Sequence, residues 1–339
     1  MAKENLSKYH FFTGNKQEIL ASLGKEKLLV VLEQMLLIRN FELRAESAYL
    51  QGKVGGFFHA YVGQEAIQTA AITAVGKEQW WSTSYRCHAL ALLLGATPNE
   101  LMAELYGKAT GNARGRGGSM HFYTDRLLGG FGIVGGQIPI ATGAAFTCKY
   151  LKKKEISLCF LGDGAVAQGA FHESLNLAAL WNLPCIYVIE NNQWGMGTAV
   201  ERAISVEPIA EKKAGSFGMK GYTVDGMNFF DCYAAFQHIF KEMQETGAPV
   251  LVEMITERFK GHSISDPGLY RSKECLTEAM EKDPIQILLK EMILAGMITS
   301  EEYEALDRKQ KEIVMASMKY AEESLWPDPI TLEEDVYAP

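Results

Sequence analysis

Two short motifs carry hard oxygen ligands: Gly162-Asp163-Gly164 and Asn191-Asn192, with 26 residues between them. Each follows an apolar run, ISLCFL over 156–161 and CIYVIE over 185–190, that reads as a buried strand. The stretch Gln168–Trp181 between them has a helical pattern. A strand–helix–strand crossover is right-handed and lays the second strand beside the first in parallel. Both motifs are then expected at the carboxyl edge of the sheet, where α/β folds bind ligands. Asp163 offers a carboxylate there and Asn192 an amide oxygen. Two such ligands, completed by diphosphate oxygens and water, make an octahedral site suited to Mg²⁺. Gly162 and Gly164 let a backbone approach phosphate closely, and a helix starting near Gln168 aims its positive end the same way. Alone, each motif is weak, since Asp-Gly is a common turn and Asn-Asn a common loop dipeptide. Their spacing on one frame is what joins them.

The rest of the chain has to position that pair. Lys25–Leu50 reads as a long helix, with apolar residues at 28, 31, 32, 35, 36 and 38 and Gly52 after its end. Gln64–Val75 is a second helix and Gln79–Thr83 a short strand. Thr97-Pro98-Asn99-Glu100 is a capping box with proline at the first helical position, so a helix runs on to about Gly107. From 107 to 136, ten of thirty residues are glycine, interleaved with Arg114, Arg116, His121 and Arg126. A long glycine-rich segment in a compact domain points to a functional loop, and its basic residues to an anion or cofactor wrapped there. Ile140–Tyr150 and Phe229–Glu245 are helices, and Val250–Ile255 is a strand. Strands of near-continuous apolar residues alternating with helices imply a parallel sheet covered on both faces. The stretch 283–325 is helical and amphipathic, with a second capping box at Thr299-Ser300-Glu301-Glu302, and packs on its own domain or on a partner.

Composition bounds the function. The chain has 339 residues, 47% hydrophobic and 22% charged, which is ordinary for a globular protein. Its net charge of −8 gives no reason to expect nucleic acid or an anionic membrane as a partner. Apolar stretches such as Leu28–Leu32 and Ala89–Leu94 are far too short to span a bilayer. Met1–Lys16 is polar and not arginine-rich, so neither a secretory signal nor an attached transit peptide is expected. The six cysteines are spread out with no C-x-x-C pair, as reduced core thiols of a cytoplasmic protein would be.

The run from Gly162 to Asn192 resembles the thiamine-diphosphate-binding motif. Its neighbours narrow the match: Gly115-Arg116-Gly117-Gly118-Ser119-Met120-His121, Gly132-Ile133-Val134-Gly135-Gly136-Gln137-Ile138-Pro139, Glu190 to Thr198, and Gly261-His262-Ser263-Ile264-Ser265-Asp266-Pro267. Together these resemble the α subunit of the decarboxylating component of 2-oxo acid dehydrogenase complexes over roughly residues 25–325, the pyruvate branch best. The resemblance implies a doubly wound parallel sheet with helices on both faces over 25–280, flanked by an N-terminal arm (1–24) and a C-terminal helical extension (281–339). It implies Mg²⁺ held by Asp163, Asn192 and the backbone carbonyl of Trp194, where the family often has Tyr. Tyr85, Arg86 and His262 would grip the diphosphate, Gly132, Val134, Gly164 and Ala165 would line the cleft, and His59 and His262 would be acid/base and orienting groups.

The residue types fit those roles without requiring them. A guanidinium donates two hydrogen bonds to a phosphate at once, yet Tyr85-Arg86 reads equally well as a surface strand end. His59, flanked by Phe57, Phe58 and Tyr61, has the reading of a packed core histidine beside the functional one. His262 lies in a Gly/Ser/Pro-rich loop, where function concentrates. Ser263 and Ser265 fall where mitochondrial relatives are phosphorylated; two loop-capping hydroxyls is the plainer reading.

The resemblance also implies an obligate β subunit in an α2β2 assembly, because the carboxylate that activates the cofactor's pyrimidine comes from a second domain, of which this sequence has no sign. Pyruvate would be decarboxylated and its acetyl unit passed to the lipoyl domain of dihydrolipoyl acetyltransferase, with acetoin or branched-chain 2-oxo acids as alternative substrates. A matrix or stromal enzyme whose transit peptide was removed fits the same residues. A nicotinamide-dependent dehydrogenase is the distant alternative. It needs G-x-G-x-x-G after a strand, whereas the turn here is Gly162-Asp163-Gly164-Ala165-Val166-Ala167, whose carboxylate would repel a pyrophosphate. A subunit that only scaffolds a complex would have no use for both metal ligands.

Overall fold

The computed structural model describes residues 8–334 and residue 336. Residues 1–7 of the expected arm, and 335 and 337–339 of the expected extension, lie outside the described residues. The chain opens with β1 (Phe11–Phe12), α1 (Lys16–Leu50), α2 (Glu65–Val75), β2 (Trp80–Ser84), α3 (His88–Leu93) and α4 (Pro98–Leu105). Next come β3 (Leu127–Phe131), α5 (Gln137–Tyr150), β4 (Ser157–Gly162), α6 (Gly169–Leu180) and β5 (Cys185–Asn191). A small hairpin follows, β6 (Trp194–Gly195) and β7 (Thr198–Ala199), then α7 (Val200–Ala203), α8 (Ile209–Ser216) and β8 (Lys220–Asp225). The last elements are α9 (Phe229–Thr246), β9 (Val250–Ile255), α10 (Lys273–Met280), α11 (Pro284–Leu294) and α12 (Ser300–Glu323).

Seven strands form one sheet in the order β1-β8-β9-β5-β4-β2-β3, and every pairing in it is parallel. Because successive strand side chains point to opposite faces, the sheet feeds two cores. Leu158, Phe160, Ile186, Val188, Val250 and Val252 pack with α1, α2, α3, α9 and α11. Cys159, Leu161, Tyr187, Ile189 and Leu251 pack with α5, α6 and α8. Connections moving toward the β1 edge carry their helices on one face and those moving toward β3 on the other, as a single crossover hand requires. The expected α/β class and sandwiched parallel sheet are therefore present.

Both expected capping boxes form, at Thr97/Glu100 and Thr299/Glu302. The helix expected from Lys25 does begin there. Gly24, at φ 68°, separates it from a shorter helical turn that starts at Lys16. C-terminal α12 lies against α4 and α1, so the tail packs on its own chain, burying Val314, Met318 and Ala321. Five cysteines are buried free thiols; Cys275 is exposed, since it lies on α10, of which Ala279 alone is buried.

The glycine-rich segment differs from expectation in two ways. Its second half contains β3, an edge strand paired to β2, despite the strand-poor sequence LLGGF. Pairing and close packing override intrinsic preference there: a Cβ at Gly130 would sit 2.5 Å from Cys87 Sγ. Its first half does wrap an anion, but that anion is the chain's own. The fully buried carboxylate of Glu104, on α4, accepts hydrogen bonds from the N–H groups of Ala113 and Gly115 on one oxygen (2.8 and 2.9 Å). Its other oxygen accepts from Gly117 and Gly118 (2.7 and 3.1 Å). Gly115 is held at φ 77° with its Cα against the Gly107 carbonyl, leaving no room for a side chain. Arg116 turns away to donate to the Thr331 carbonyl (2.6 Å), and Arg114 pairs with Glu334.

Four backbone donors left without a buried acceptor would cost the loop at least about 4 kcal/mol of local stability, at about 1–3 kcal/mol per buried group. Glu104→Ala is accordingly expected to speed tryptic cleavage after Arg114 and Arg116 at least about tenfold, since cleavage tracks the open population. Timed digestion with mass spectrometry reads it; an unchanged rate would show that the carboxylate does not hold this loop.

Candidate active site

In-register pairing of β4 with β5 sets Gly162 against Glu190, so the residues just beyond the two strand tips are neighbours. Asp163 opens a 3-10 turn, Asp163–Ala167, and α6 starts only afterwards at Gly169. The helix expected to start near Gln168 does so, one tight turn after the glycine-flanked aspartate. Beyond β5, Asn191 donates to Glu253 on β9 (2.7 Å) and accepts from the Gln193 N–H (3.0 Å). Asn192 donates its amide to Gln64 (3.1 Å), which fixes the flip of its carboxamide and leaves Oδ1 turned toward Arg258 and the Trp194 N–H. Gln193 and Met196 both hold positive φ, 69° and 55°, in this turn. Non-glycine residues so placed cluster at functional sites.

A cavity of about 550 Å³ opens over these tips, within the range that holds a cofactor-sized ligand. It is lined by every site residue expected from the sequence: His59, Tyr85, Arg86, Gly132, Val134, Asp163, Gly164, Ala165, Asn192, Trp194 and His262. They arrive from six separate loops, those after β2, β3, β4, β5 and β9 and the one between α1 and α2.

Electrostatics in the cavity follow from burial. Asp163 is 2% exposed, and desolvation pushes its carboxyl up to about 6; its own N–H, Arg258 and Arg86 pull the other way. Arg86 is buried, donating to the Ala60 carbonyl (2.8 Å) and the His262 carbonyl (2.7 Å), and burial with Arg258 nearby lowers it to about 10. His59 packs against Tyr85, the rings tilted by 47° with centres 4.3 Å apart, and meets His262 edge-on at 5.1 Å. Burial, then Arg86 and His262, push His59 down to about 3; burial, Arg86 and Arg258 push His262 down to about 4. The core-histidine and functional readings of His59 both hold in part: it is buried, yet its Nδ1 has no hydrogen-bond partner and it faces the cavity. The surface reading of Tyr85-Arg86 does not hold.

Arg258 was not foreseen. It is fully buried, and its guanidinium reaches Asn192 Oδ1 (3.3 Å), the Trp194 carbonyl (3.5 Å), the Met196 carbonyl (3.4 Å) and the Tyr270 hydroxyl (3.3 Å). All are longer than ordinary hydrogen bonds, and Nη1 has no partner. A cation therefore already stands against two oxygens expected to ligate Mg²⁺. A charged residue three positions past the apolar strand Val250–Ile255, four before His262, was the available signal. Glu190, also unforeseen, lines the cavity under the hydroxyl of Tyr61 and the amide of Gln68. Burial pushes it up to about 7, against those two donors. Ser263 and Ser265 bond to each other (3.1 Å) rather than capping the backbone.

Among the described residues no cluster of three or more His, Cys, Asp or Glu side chains could hold a metal. A cation here would instead have one carboxylate, one amide oxygen and one carbonyl, hard ligands that leave positions for phosphate oxygens and water. The residues fit that ion and its phosphate: His59 Nδ1, Gln64 Nε2, Gln137 Oε1 and Arg258 Nη1 are buried polar atoms without partners at or beside this cavity. Unpaired buried groups are costly unless a ligand satisfies them.

A parallel α/β sheet with an oxygen-ligand pair and a cationic, histidine-bearing cleft at its carboxyl edge defines a cofactor-diphosphate-binding enzyme subunit. The chain belongs to the dehydrogenase E1 component family, whose model matches residues 33–330, and that family is thiamine-diphosphate-dependent. It is 42% identical over 315 residues to the pyruvate dehydrogenase E1 component subunit alpha of Rickettsia felis, covering 92% of this chain and 96% of that one. It is 39% identical over 320 residues to the subunit of the same name from Rhizobium meliloti, covering 94% and 92%. The Porphyra purpurea subunit is 39% identical over 326 residues, covering 94% of each.

Folded-state values far below an ordinary imidazole's 6.5 mean that both histidines stay neutral as pH falls while the unfolded chain takes up protons. They therefore subtract stability below about 6.5, and the loss grows until their own folded values are reached. The imidazole carbon resonances of His59 and His262, assigned through His59→Gln and His262→Gln, should keep neutral-state shifts from about pH 8 to about pH 5. Titration of either near 6.5 would contradict the burial described.

Proposed function

We propose that this chain is the α subunit of a thiamine-diphosphate-dependent pyruvate dehydrogenase, which oxidatively decarboxylates pyruvate and passes the acetyl group to the lipoyl group of a dihydrolipoyl acetyltransferase. The observation that carries it is the convergence of Asp163, Asn192 and the Trp194 carbonyl with Arg86 and two histidines on one cavity. The names of its relatives favour pyruvate over acetoin or a branched-chain 2-oxo acid.

Bound thiamine diphosphate would supply an electron sink for the bond electrons left behind on the keto carbon as CO₂ leaves. The chain's residues supply the surroundings. Asp163, Asn192 Oδ1 and the Trp194 carbonyl would hold Mg²⁺, with Arg258 giving up its loose contacts to two of those oxygens. Tyr85, Arg86 and His262 would hold the phosphates, and Gly132, Val134, Gly164 and Ala165 the cleft walls. With two of its five donors tied to backbone carbonyls, Arg86 is fixed before any ligand arrives. Imidazoles held this far below neutrality stay neutral near pH 7, where each can hydrogen-bond an oxygen through its N–H. His59, whose Nδ1 is unpartnered, is placed to orient substrate, and His262 beside it to share that role.

The enzyme is proposed to be an α2β2 heterotetramer. The described residues form one seven-stranded sheet and a two-stranded hairpin, with no second parallel sheet. Glu190, the cavity's other acid, is engaged by Tyr61 and Gln68 rather than free to serve a pyrimidine. Phe57, Val134 and Met196 leave an exposed apolar rim that a β subunit would cover. In this reading residues 25–280 are the cofactor-binding domain, residues before 25 its N-terminal arm, and the described residues from 281 on its helical extension. No helix among the described residues is long and apolar enough to cross a membrane, and the buried free thiols suit the cytoplasm.

Asp163→Asn, co-purified with the β subunit, should lower Mg²⁺-dependent thiamine diphosphate affinity at least about 100-fold, beyond what loss of an outer-shell group costs, with an unchanged circular dichroism spectrum. Calorimetry showing wild-type affinity would defeat the assignment. Purified without β, the wild-type chain should release almost no CO₂ from pyruvate in single-turnover assays. Full activity from the α chain alone would remove the need for a partner.

A further inference from the structure

His88 and Glu42 form a fully buried pair that the proposed chemistry does not use. His88 Nδ1 lies 2.9 and 3.0 Å from the two oxygens of Glu42 on α1, and Nε2 lies 2.8 Å from the carbonyl of Ser119. A carbonyl only accepts, so Nε2 carries a hydrogen. The ring is sandwiched by Phe58, stacked at 5.1 Å and 17°, and by Phe122, edge-on at 5.3 Å. Ser119 in turn donates its hydroxyl to the Phe57 carbonyl.

We propose that His88 and Ser119 are positioning residues for the reaction, tying the loop that carries His59 to the loop that carries Met120. The inference rests on the functional reading above. Phe57–His59 and Ser119–His121 have no regular secondary structure, so no ladder of backbone bonds sets their relative position. Phe57, His59 and Met120 nevertheless line one cavity. One imidazole, anchored on α1 through Glu42, holds the second loop by a hydrogen bond and stacks on Phe58 of the first; the Ser119 hydroxyl then closes the two loops on each other. Ser119 and His88 are absent from the cavity wall, so they act on the site through His59 and Met120. A misplacement near 1 Å of a group at the reacting centre costs about 100-fold in rate. The diphosphate end is held mainly from elsewhere, by the β4 and β5 tips and by Arg86, which the His262 carbonyl anchors as well as the Ala60 carbonyl of the first loop.

Ser119→Ala in the α–β enzyme removes one hydroxyl without emptying the core. It is expected to lower kcat at least about tenfold, leave thiamine diphosphate affinity and melting temperature near wild type, and raise amide exchange over 55–61 and 117–122. Ser119→Thr, which keeps the hydroxyl, should restore kcat. Unchanged kcat and exchange would overturn the tie, as would a parallel fall in kcat, cofactor affinity and melting temperature, which marks a merely structural residue. A wild-type enzyme inactive on pyruvate would sink the functional reading alone, because the exchange measurement still decides whether the loops are coupled.

Discussion

Parallel pairing of β4 and β5 in one register is the constraint on which the rest of the molecule depends. Neighbouring strands lie about 4.8 Å apart, so the pairing of Gly162 with Glu190 delivers Asp163 and Asn192 to adjacent tips. A one-residue slip would turn every side chain of either strand to the other face, sending Phe160 into the α5–α6 core and parting the proposed ligand pair. Alternation on both strands is therefore constrained twice, by two hydrophobic cores and by one proposed ligand site.

Burying that pair creates an electrostatic difficulty which the surrounding groups share. Asp163 and Glu190 are held above ordinary carboxylate values by desolvation, while Arg86 and Arg258 restrain the rise at Asp163. The same guanidinium charges, added to burial, keep His59 and His262 neutral. One cluster of charges thus places two acids, two fixed cations and two neutral imidazoles in and beside one cavity. Removing any member shifts the others, so the site is a coupled system. Carboxylates outside it do a parallel job for the backbone. Glu253, in the middle of a buried strand, fixes Asn191, and Glu104 gathers four loop amides. Each would be destabilising alone, and each is tolerated because it satisfies buried donors that nothing else reaches.

Short-range rules made much of this visible before any coordinates. Continuous apolar runs marked β4, β5 and β9 because strands covered on both faces need no alternation of polarity. The capping boxes at Thr97 and Thr299 marked helix starts because their hydrogen bonds are local. β1 and β8 escaped because two residues, or a run as mixed as KGYTVD, carry no period. β3 escaped because glycine reads as loop wherever it occurs.

Residue types and spacing by themselves determined the fold class, the placing of Asp163 and Asn192 at adjacent strand tips and the family resemblance that named the other cavity residues. They did so because a crossover has one hand and fixes which ends of adjacent strands meet. Only the tertiary structure decided which anion the glycine-rich turn enfolds, that Arg258 stands against the proposed metal ligands, and that His59 is at once buried and facing a cavity. Those facts depend on contacts between residues 9 to 203 positions apart in sequence (262 less 59 for His59 and His262), where distance along the chain carries no information about distance in space.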